Sequence, residues 1–464
     1  MRKALILFCC LPFMGNAQSN NIKLIDLYLN GEYQQSFNGN VLIAQHGKTI
    51  YQKAFGYRNI DLKLPLNNSS VFELASVSKQ FTALSILQLK EQGKLKLTDS
   101  LRAYFPQLPY HNITIQNLLT HTSGLPDYLN QMIKKWDHKQ IAFNNDVIDF
   151  LAINKPKLLF TPGSQYEYSN TGYVILASII EKLTGESYNN YLKQQIFKPL
   201  GMDSSRVYNT RRSKQDTIAN YAYGYVYNAA YKKYVLPDSL KKFDFVYWLD
   251  GITGDGTVNS TTRDLLKWNN ALLSNKLINA LDQKDMLSPH VLTDTITNAH
   301  YGYGIDILKD ELGNFTTHSG SWPGYTSVLT HYETGDYTVI VLSNNESNAV
   351  GISQALCHIL NGRAVVQPYR HQETNVDPAI LDKYVGTYMF TLKIELVKRD
   401  GKLYRHLPGR SINSDVELKP ESPTKFFYSN RADIQIEFEL DKQGNVAHSY
   451  LINYGLKIEA RKSE

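Results

Sequence analysis

The spacing of apolar residues changes once along this chain, after residue 362, and that change limits the folds available to it. Before it, segments with apolar residues every three or four positions alternate with short apolar segments typical of strands. After it the period is almost purely two, as in residues 433–440, where every second residue is apolar. The pattern predicts an α+β part followed by an all-β part, and 464 residues suffice for both.

Two predicted β-hairpins frame the first part. Their paired strands are residues 41–44 with 49–55, and residues 325–332 with 337–342. Helical patterns occupy residues 76–92, 172–183 and 350–360. The first two helices are followed by Gly93 and Gly185, the residue type that best adopts a left-handed C-terminal cap. Helices between an early and a late hairpin predict an antiparallel sheet flanked by helices.

Residues 363–378 have the composition of a linker, with Pro368 and Pro378 among polar residues. In residues 379–464, Asp400-Gly401 and Gly444-Asn445 mark turns between alternating segments. That pattern predicts a small barrel or a strongly curved sheet. The expected domains are therefore residues 18–362 and 379–464, joined by residues 363–378.

The first 17 residues have the composition of an export signal. Arg2 and Lys3 precede an apolar segment, and small residues precede Gln18, the expected first residue after cleavage. The apolar segment is too short to span a bilayer, and no later one approaches 18 uninterrupted apolar residues. We expect an exported protein, periplasmic or secreted, without a membrane span once the signal is removed.

Two of the three cysteines, Cys9 and Cys10, lie in this predicted signal. Lipidation there is disfavoured because Leu7 and Phe8 stand where a small residue is normally needed. Cys357 lies in an apolar helical pattern, which favours a buried, inert thiol. We therefore expect no internal disulfide.

The charge balance argues against a nucleic-acid partner. Lys and Arg total 49 against 43 Asp and Glu, a formal charge of +6 spread over 464 residues. No basic cluster is interleaved with aromatic residues. The histidines also lack metal-ligand spacing, so we expect no metal or other cofactor.

Ser76 and Lys79 are the strongest chemical signal. Three residues apart at a predicted helix start, they would project from one face of the helix. A lysine kept neutral by desolvation can take the proton of a serine hydroxyl, and a helix N-terminus favours developing negative charge. The same spacing occurs by chance in many solvated helices, so it does not identify a site by itself.

Other motifs follow in a definite order. They are Phe72-Glu73-Leu74-Ala75-Ser76-Val77-Ser78-Lys79, Leu118-Leu119-Thr120-His121-Thr122-Ser123-Gly124-Leu125-Pro126, Phe160-Thr161-Pro162-Gly163, Tyr168-Ser169-Asn170, Gly254-Asp255-Gly256, Ser260-Thr261-Thr262-Arg263-Asp264-Leu265 and His318-Ser319-Gly320. Over residues 38–361 the chain resembles the serine β-lactamase and penicillin-recognising hydrolase superfamily. The resemblance is to the branch with class C β-lactamases, DD-peptidases, D-aminopeptidases and related esterases, and it implies a β-lactamase/transpeptidase-like fold.

The resemblance implies a role for each motif residue. Ser76 would attack a carbonyl and become acylated, with Lys79 as its base. Tyr168 would assist and protonate the leaving group, and neighbouring cations would have to lower its pKa for it to accept a proton. Asn170 would hold Lys79 or the substrate amide.

The resemblance also implies an oxyanion hole made by the backbone N–H groups of Ser76 and Ser321, on an expected edge strand. Gly320 would let the substrate backbone approach closely. His318 stands where many β-lactamases carry lysine, so it would be a weaker, pH-dependent clamp for a carboxylate, or else a structural strand residue. His121 is expected to order a loop.

Two functions stay open at this point. One is an exported serine hydrolase that cleaves a D-amino-acid peptide, a β-lactam or a small ester through an acyl-enzyme. The other is a penicillin-binding sensor that is acylated and turns over very slowly. Either takes a small-molecule or short-peptide substrate, and the sequence carries no signal for an oligomeric state. The segment from Tyr384 to Tyr388 resembles the start of lipocalin-like domains, which implies a stabilising accessory domain.

Overall fold

The computed structural model describes residues 12–208, 217–390, 392–431 and 433–463. The chain divides into two compact units. Phe37–Ser353 forms one, and residues up to Ser36 together with those from Gln354 onwards form the other. The boundaries at residues 362 and 378 stay a prediction.

An eight-stranded antiparallel sheet is the frame of the Phe37–Ser353 unit. In spatial order its strands are Val291–Asp294, Ala299–Tyr301, Asp306–Asp310, Gly313–Trp322, Tyr325–Tyr332, Tyr337–Ser343, Gly39–Gln45 and Lys48–Phe55. Both predicted hairpins are confirmed. The two strands that join them, Gly39–Gln45 and Tyr337–Ser343, are buried along almost their whole length, which explains their continuous apolar sequences.

Helices cover this sheet, as predicted. The α-helices of the unit are Lys79–Glu91, Leu101–Tyr104, Ile115–Leu119, Tyr128–Met132, Asn144–Asn154, Asn170–Thr184, Tyr188–Leu192, Lys198–Leu200, Phe245–Trp248, Thr262–Leu273 and Ala280–Met286, and Ala349–Leu360 crosses the unit boundary. Short 3₁₀ turns lie at Ala75–Ser78, Pro237–Ser239, Lys241–Phe243 and Thr334–Asp336, and a π turn at Lys193–Phe197.

The helices Lys79–Glu91 and Asn170–Thr184 pack against each other in the core. Lys79 to Leu89 are all buried, so the first of these is a core helix although it begins with the polar residues Lys79, Gln80 and Thr82. Gly185 ends the second helix at φ +72°, and Gly93 follows the first at φ +70°, as expected. Lys79, the first residue of the helix Lys79–Glu91, is therefore buried inside the unit.

Among the residues that the structure describes, three small antiparallel sheets complete this unit. Their strands are Tyr57–Asn59 with Leu64–Pro65, Phe72–Glu73 with Val258–Ser260 and Arg206–Val207, and Val226–Asn228 with Lys233–Val235. The second of these sheets joins the residues just before Ser76 to the segment after Asp255.

The C-terminal residues form a closed eight-stranded antiparallel barrel, as their period-two pattern predicts. Its strands, in order, are Gly386–Met389, Lys393–Arg399, Lys402–His406, Val416–Ser422, Lys425–Tyr428, Ile434–Leu440, Val446–Asn453 and Leu456–Ser463. The first strand pairs with the last. Ile436 and Phe438 lie in its core, so one face of the alternating segment is buried.

A helix, Pro12–Gln34, belongs to the same unit as the barrel. Ile25, Tyr28 and Leu29 on it are fully buried, and the Tyr28 hydroxyl donates to the carbonyl of Tyr454 over 3.2 Å. Residues 363–377, all described, hold no helix or strand, and Val366 N–H donates to the carbonyl of Gly455. The expected linker thus has backbone contacts with the barrel.

The predicted signal peptide falls mostly outside the described residues, which begin at Pro12, and it stays a prediction. Within the part of the chain that is described, no helix has both the length and the apolarity needed to cross a bilayer. Cys357 is a buried free thiol, as its sequence context indicates.

Candidate active site

Ser76 lies in a tight turn before a helix rather than in the helix itself. The predicted helix 76–92 begins as the 3₁₀ turn Ala75–Ser78, and α-helix starts at Lys79. The backbone N–H of Val258 donates to the Ser78 hydroxyl over 3.0 Å, which ties this turn to the neighbouring small sheet. Ala75, at φ +47°, bends the chain sharply before Ser76. The turn leaves Ser76 partly exposed while Lys79 is fully buried.

Lys79 is surrounded by three oxygen atoms. Its Nζ lies 3.1 Å from Ser76 Oγ, 2.7 Å from Asn170 Oδ1 and 2.8 Å from the carbonyl oxygen of Asp255. Burial lowers the pKa of Lys79 to about 8, although the carboxylates of Asp255 and Asp127 act in the opposite direction. A lysine with this pKa has a neutral fraction near neutral pH and can accept the serine proton.

Asp127 orients the amide of Asn170. Its Oδ2 accepts from both the backbone N–H and the Nδ2 of Asn170, at 2.9 and 2.8 Å. Because the amide nitrogen is held there, Asn170 Oδ1 must point towards Lys79. Asp127 Oδ1 meanwhile caps the helix Tyr128–Met132 through the N–H of Leu129. Asn170 begins the helix Asn170–Thr184, so both partners stand at helix starts.

Asp255 follows a close approach of two backbones. Gly254 has φ +101°, and a Cβ there would lie 2.5 Å from the carbonyl oxygen of Tyr173. This packing brings the carbonyl oxygen of Asp255 within hydrogen-bond distance of Lys79 Nζ. The carboxylate of Asp255 accepts from the Tyr128 hydroxyl over 3.0 Å. Burial raises the pKa of Asp255, and the nearby Lys79 ammonium opposes that shift. Asp255 and Gly256 of this motif line the cleft, as its sequence suggested, whereas Gly254 packs against Tyr173.

The Tyr168 ring lies against the ammonium group of Lys79. Lys79 Nζ is 4.9 Å from the centre of the Tyr168 ring. Burial raises the pKa of Tyr168 well above its usual value, and the nearby Ser76 only partly offsets this. A role of Tyr168 as a base would require a lowered pKa, and the structure shows the opposite shift. The Tyr168 phenol is therefore protonated at neutral pH.

The His121 ring packs against the Tyr168 ring. The rings of His121 and Tyr168 lie 4.2 Å apart, and His121 Nδ1 accepts from the backbone N–H of Ser169 over 3.1 Å. His121 is 1% exposed, and burial lowers its pKa well below its usual value, so its ring is neutral. The expectation that His121 orders a loop by hydrogen bonding agrees with this contact.

Gly320 and Ser321 lie on the strand Gly313–Trp322, which is not the edge of the large sheet. Its first half pairs with Asp306–Asp310 up to Thr317, and its whole second half pairs only with Tyr325–Tyr332 within the described residues. Ser321 is therefore near an open edge although the strand is internal. A Cβ on Gly320 would lie 2.1 Å from the carbonyl oxygen of Leu74 and 3.0 Å from Ser76 N, so this position requires glycine.

His318 lies on the same strand, and its side chain is buried, 3% exposed. Its Nε2 is 2.9 Å from the Tyr301 hydroxyl, and its Nδ1 is 2.7 Å from the carbonyl oxygen of Ser319. Burial, reinforced by the Lys79 charge, lowers the pKa of His318 to about 3. A neutral ring at neutral pH replaces the pH-dependent cationic clamp that the sequence suggested, because the histidine is desolvated and partnered.

A cavity of about 500 Å³ opens beside Ser76. Ser76, Asn170 and Ser321 line it, and Lys79 lies just beneath. The remaining lining includes the aromatic and aliphatic residues Phe243, Phe245, Leu249, Ile252 and Trp322 and the acidic residues Glu73, Asp255 and Glu346. Among the described residues, no group of His, Cys, Asp and Glu is arranged to ligate a metal ion.

Four of the predicted residues, Ser76, Lys79, Asn170 and Ser321, line this cavity or hydrogen-bond to its lining, and the Tyr168 ring lies 4.9 Å from Lys79 Nζ. A family model described as Beta-lactamase matches residues 31–355, well over half of the chain and the whole of this site. The chain belongs to the beta-lactamase family. It is a serine hydrolase of the penicillin-binding and β-lactamase type.

This beta-lactamase-family chain has similar relatives over nearly its full length. It is 40% identical to penicillin-binding protein 4* of Bacillus subtilis (strain 168) over 91% of this chain and 94% of that protein. The octameric penicillin-binding protein homologue from Pyrococcus abyssi is 26% identical with a TM-score of 0.65, over 97% of this chain and 100% of that one. D-amino acid amidase from Ochrobactrum anthropi SV3, complexed with D-phenylalanine, is 25% identical with a TM-score of 0.59, over 74% and 98%.

Sequence reasoning missed Asp127 and the carbonyl of Asp255. Asp127 directly follows the motif that ends at Pro126, and an Asp before a helix start is a recognisable cap, but nothing local shows that its second oxygen reaches Asn170. A backbone carbonyl carries no sequence signal at all, so its contact with Lys79 could be found only in three dimensions.

Proposed function

We propose that Ser76 is the nucleophile of an acyl-enzyme hydrolase and that Lys79 is its base. The observation that carries the proposal is the position of Lys79 Nζ, 3.1 Å from Ser76 Oγ in a fully buried setting that lowers its pKa to about 8. A structural lysine is normally exposed or paired with a carboxylate. Here its direct partners are a serine hydroxyl, an amide oxygen and a backbone carbonyl.

In the proposed reaction, neutral Lys79 takes the proton of Ser76 as Oγ attacks the substrate carbonyl carbon. The backbone N–H groups of Ser76 and Ser321 bind the oxygen that becomes negative in the tetrahedral intermediate. When this intermediate collapses, the bond to the leaving group breaks and the acyl group stays on Ser76. Water then attacks the ester and releases the acid, which restores the hydroxyl.

Tyr168 is proposed as the proton donor to the leaving group. Its raised pKa keeps the phenol protonated, and the proposal is supported by the position of its ring 4.9 Å from Lys79 Nζ, which is itself 3.1 Å from Ser76 Oγ. Lys79, charged after it has accepted the serine proton, can then return that proton to Tyr168. Asn170 and Asp127 hold Lys79 in position throughout.

The proposed substrates are small amides, short peptides or esters with a D-configured amino-acid residue. Support comes from the amidase that resembles this chain and was solved with D-phenylalanine. The cavity has room for such a group beside an aromatic wall, where the rings of Phe245 and Trp322 lie 5.5 Å apart. A β-lactam is the second proposed acylating agent, on the support of the 40% identical penicillin-binding protein 4*.

A second candidate, a slowly deacylating penicillin-binding module, is favoured by the 40% identity to penicillin-binding protein 4*. The two candidates differ in product release. Many equivalents of product from a D-phenylalanine amide or a p-nitrophenyl ester indicate a hydrolase, whereas one equivalent followed by a stall indicates a sensor.

The experiment that tests the nucleophile is labelling with a fluorescent fluorophosphonate or penicillin. Ser76→Ala should abolish the label and lower turnover by on the order of 10⁴- to 10⁶-fold, and Lys79→Ala should be nearly as damaging because the two act as a unit. Ser69→Ala, at an exposed serine outside the site, is the matched control. A label that survives Ser76→Ala and maps to another residue contradicts the proposal.

We also propose that the chain is exported through residues 1–17, on the composition of that segment. N-terminal sequencing of the protein from its native host should then read from Gln18. A mature protein that still begins at Met1 contradicts this proposal.

A further inference from the structure

We propose that Arg405 is the central group of a binding site for a small monoanionic carboxylate at one end of the C-terminal barrel. The proposed function concerns Ser76 and its cleft, which belong to the other compact unit, so this inference goes beyond that function and does not depend on it. The barrel thereby has a ligand of its own, in addition to the stabilising role that its sequence implies.

The side chain of Arg405 faces the interior of the barrel. Arg405 lies on the strand Lys402–His406, directly opposite Leu396 on one side and Val416 on the other. Residues opposite each other in a sheet share a face, and both of these neighbours are buried in the barrel core. Leu403, two positions earlier on the same strand, is buried there as well. A charged residue therefore occupies a position at which its neighbours are apolar.

The guanidinium group of Arg405 has no counter-charge. Among the described residues no carboxylate forms an ion pair with it, and its buried Nη1 has no hydrogen-bond partner. Asp415, just before the next strand, pairs with Arg399 and His406 instead. A buried guanidinium N–H without an acceptor is costly, because it has lost water and gained no partner. An anion bound at Arg405 would supply both the acceptor and the charge.

Tyr428 and Asn453 bring two more polar side chains to the same end of the barrel. With Arg405 they lie at or next to the last positions of the third, fifth and seventh strands, which run in one direction because neighbouring strands are antiparallel. Tyr428 lies opposite Leu418 of the core, and its ring centre is 5.6 Å from the Arg405 guanidinium carbon. Asn453 lies opposite Ile434, and its buried Oδ1 has no partner within the described part of the chain.

The charge and chemistry of this end indicate the class of ligand. One guanidinium carries one positive charge, so a monoanion neutralises it, whereas a phosphate dianion would leave a buried excess of negative charge. The planar N–H groups of arginine match the two oxygens of a carboxylate. Burial raises the pKa of Tyr428, although Arg405 opposes this, so the hydroxyl stays protonated and can donate a further hydrogen bond. The apolar neighbours Leu396, Val416 and Ile434 favour an aliphatic remainder.

The test measures binding of sodium butanoate to the full-length protein by isothermal titration calorimetry. We expect butanamide, the uncharged isostere, and inorganic phosphate to bind at least about tenfold more weakly than butanoate, because a hydrogen bond to a charged group is worth that much. Arg405→Met should weaken butanoate binding by at least about tenfold for the same reason. Arg410→Met, which removes an exposed arginine from the loop after the same strand, is the matched control.

Thermal unfolding separates loss of the site from loss of the fold. Without ligand, Arg405→Met should be at least as stable as the wild-type protein, because the substitution removes a guanidinium that has no counter-charge. Butanoate should raise the unfolding temperature of the wild-type protein and leave that of Arg405→Met unchanged. Arg405→Lys keeps the charge but not the planar N–H groups, so it should bind butanoate with intermediate affinity, and it tests the site if Arg405→Met does not fold.

Equal butanoate affinity in the wild-type protein and in Arg405→Met overturns the inference, as does phosphate that binds as tightly as butanoate. A wild-type protein that binds no butanoate at millimolar concentration overturns it too. Ser76→Ala should bind butanoate like the wild-type protein, and a loss of binding in that variant would assign the ligand to the cleft instead. Labelling of Ser76 tests the proposed function independently, so either proposal can fail alone.

Discussion

At the scale of the residue, the proposed base role of Lys79 depends on the environment of its side chain. The side chain is fully buried, yet two carboxylates, Asp127 and Asp255, lie near enough to raise its pKa against the effect of burial. The balance leaves the pKa at about 8. A base needs a pKa close to the working pH, since a lower value weakens it and a higher value keeps it protonated.

The acylation rate should therefore rise with pH through about 8, as Lys79 loses its proton. Asp255→Asn removes a carboxylate that raises this pKa, so the rising limb should move to lower pH. The measurement is kcat/KM for a p-nitrophenyl ester as a function of pH, corrected for spontaneous hydrolysis. Asp203→Asn, at an exposed position, should leave the limb in place. A limb that moves to higher pH in Asp255→Asn would contradict the assignment.

His121 is a positioning residue for Tyr168 at the same scale. Its ring packs against the Tyr168 ring, and its Nδ1 accepts from Ser169 N–H. Its backbone φ is +56°, which asparagine tolerates better than most residues. His121→Ala should lower the acylation rate constant by about 10- to 100-fold with little change in KM. His121→Asn retains an acceptor for Ser169 N–H and should recover part of the loss. Equal rates in the two variants would show that this hydrogen bond has no role.

At the scale of the element, the strand Gly313–Trp322 has two halves with different tasks. Its first half pairs on both sides and holds the sheet together. Its second half leaves one side for the turn Ala75–Ser78, against which Gly320 packs. The prediction that this strand is an edge strand is wrong, because the strand lies inside the sheet. Within the described residues, however, Ser321 pairs with a neighbouring strand on one side only.

Gly320→Ala should disrupt this contact. The added methyl would lie 2.1 Å from the carbonyl oxygen of Leu74, so the strand or the Ser76 turn must move. We expect a lower melting temperature and a loss of fluorophosphonate labelling of at least about 100-fold, since small displacements of reacting groups are costly. Ser319→Ala, one residue earlier with an exposed side chain, is the control for expression and folding. Full labelling of Gly320→Ala would refute the close packing.

At the scale of the whole molecule, the chain divides into two compact units of different construction. Phe37–Ser353 contains the sheet, the helices and every residue of the proposed site. The other unit combines the closed barrel with the helix Pro12–Gln34, in which Tyr28 donates to Tyr454. The chain crosses from one unit to the other within the helix Ala349–Leu360, so the compact units differ from the sequence-based domains of residues 18–362 and 379–464.

We expect the full-length protein to unfold in two thermal transitions, because each unit has its own buried core. Covalent acylation of Ser76 stabilises only the folded unit that holds it, so it should raise one transition temperature and leave the other unchanged. Differential scanning calorimetry with and without a fluorophosphonate measures both. A single transition that moves as a whole would show that the two units unfold together.

Local pattern accounts for much of this protein because most of its elements are specified by nearest neighbours in sequence. The hairpins around His46-Gly47-Lys48 and residues 333–336, and the barrel strand at Ile434–Leu440, follow from alternation and turn residues. The motif order similarly brought out Ser76, Lys79, Tyr168 and Asn170, which lie together in the structure.

Tertiary structure alone decided the state of each group in the site. The charge of His318, the pKa of Tyr168 and the orientation of Asn170 depend on residues far away in the chain, among them Tyr301 and Asp127. The same is true of the cavity beside Ser76, whose lining includes both Glu73 and Glu346 although they are 273 positions apart in the chain. Residue type and spacing determine which groups a protein has, but pKa and hydrogen bonding depend on desolvation and on partners, and only the folded chain supplies those.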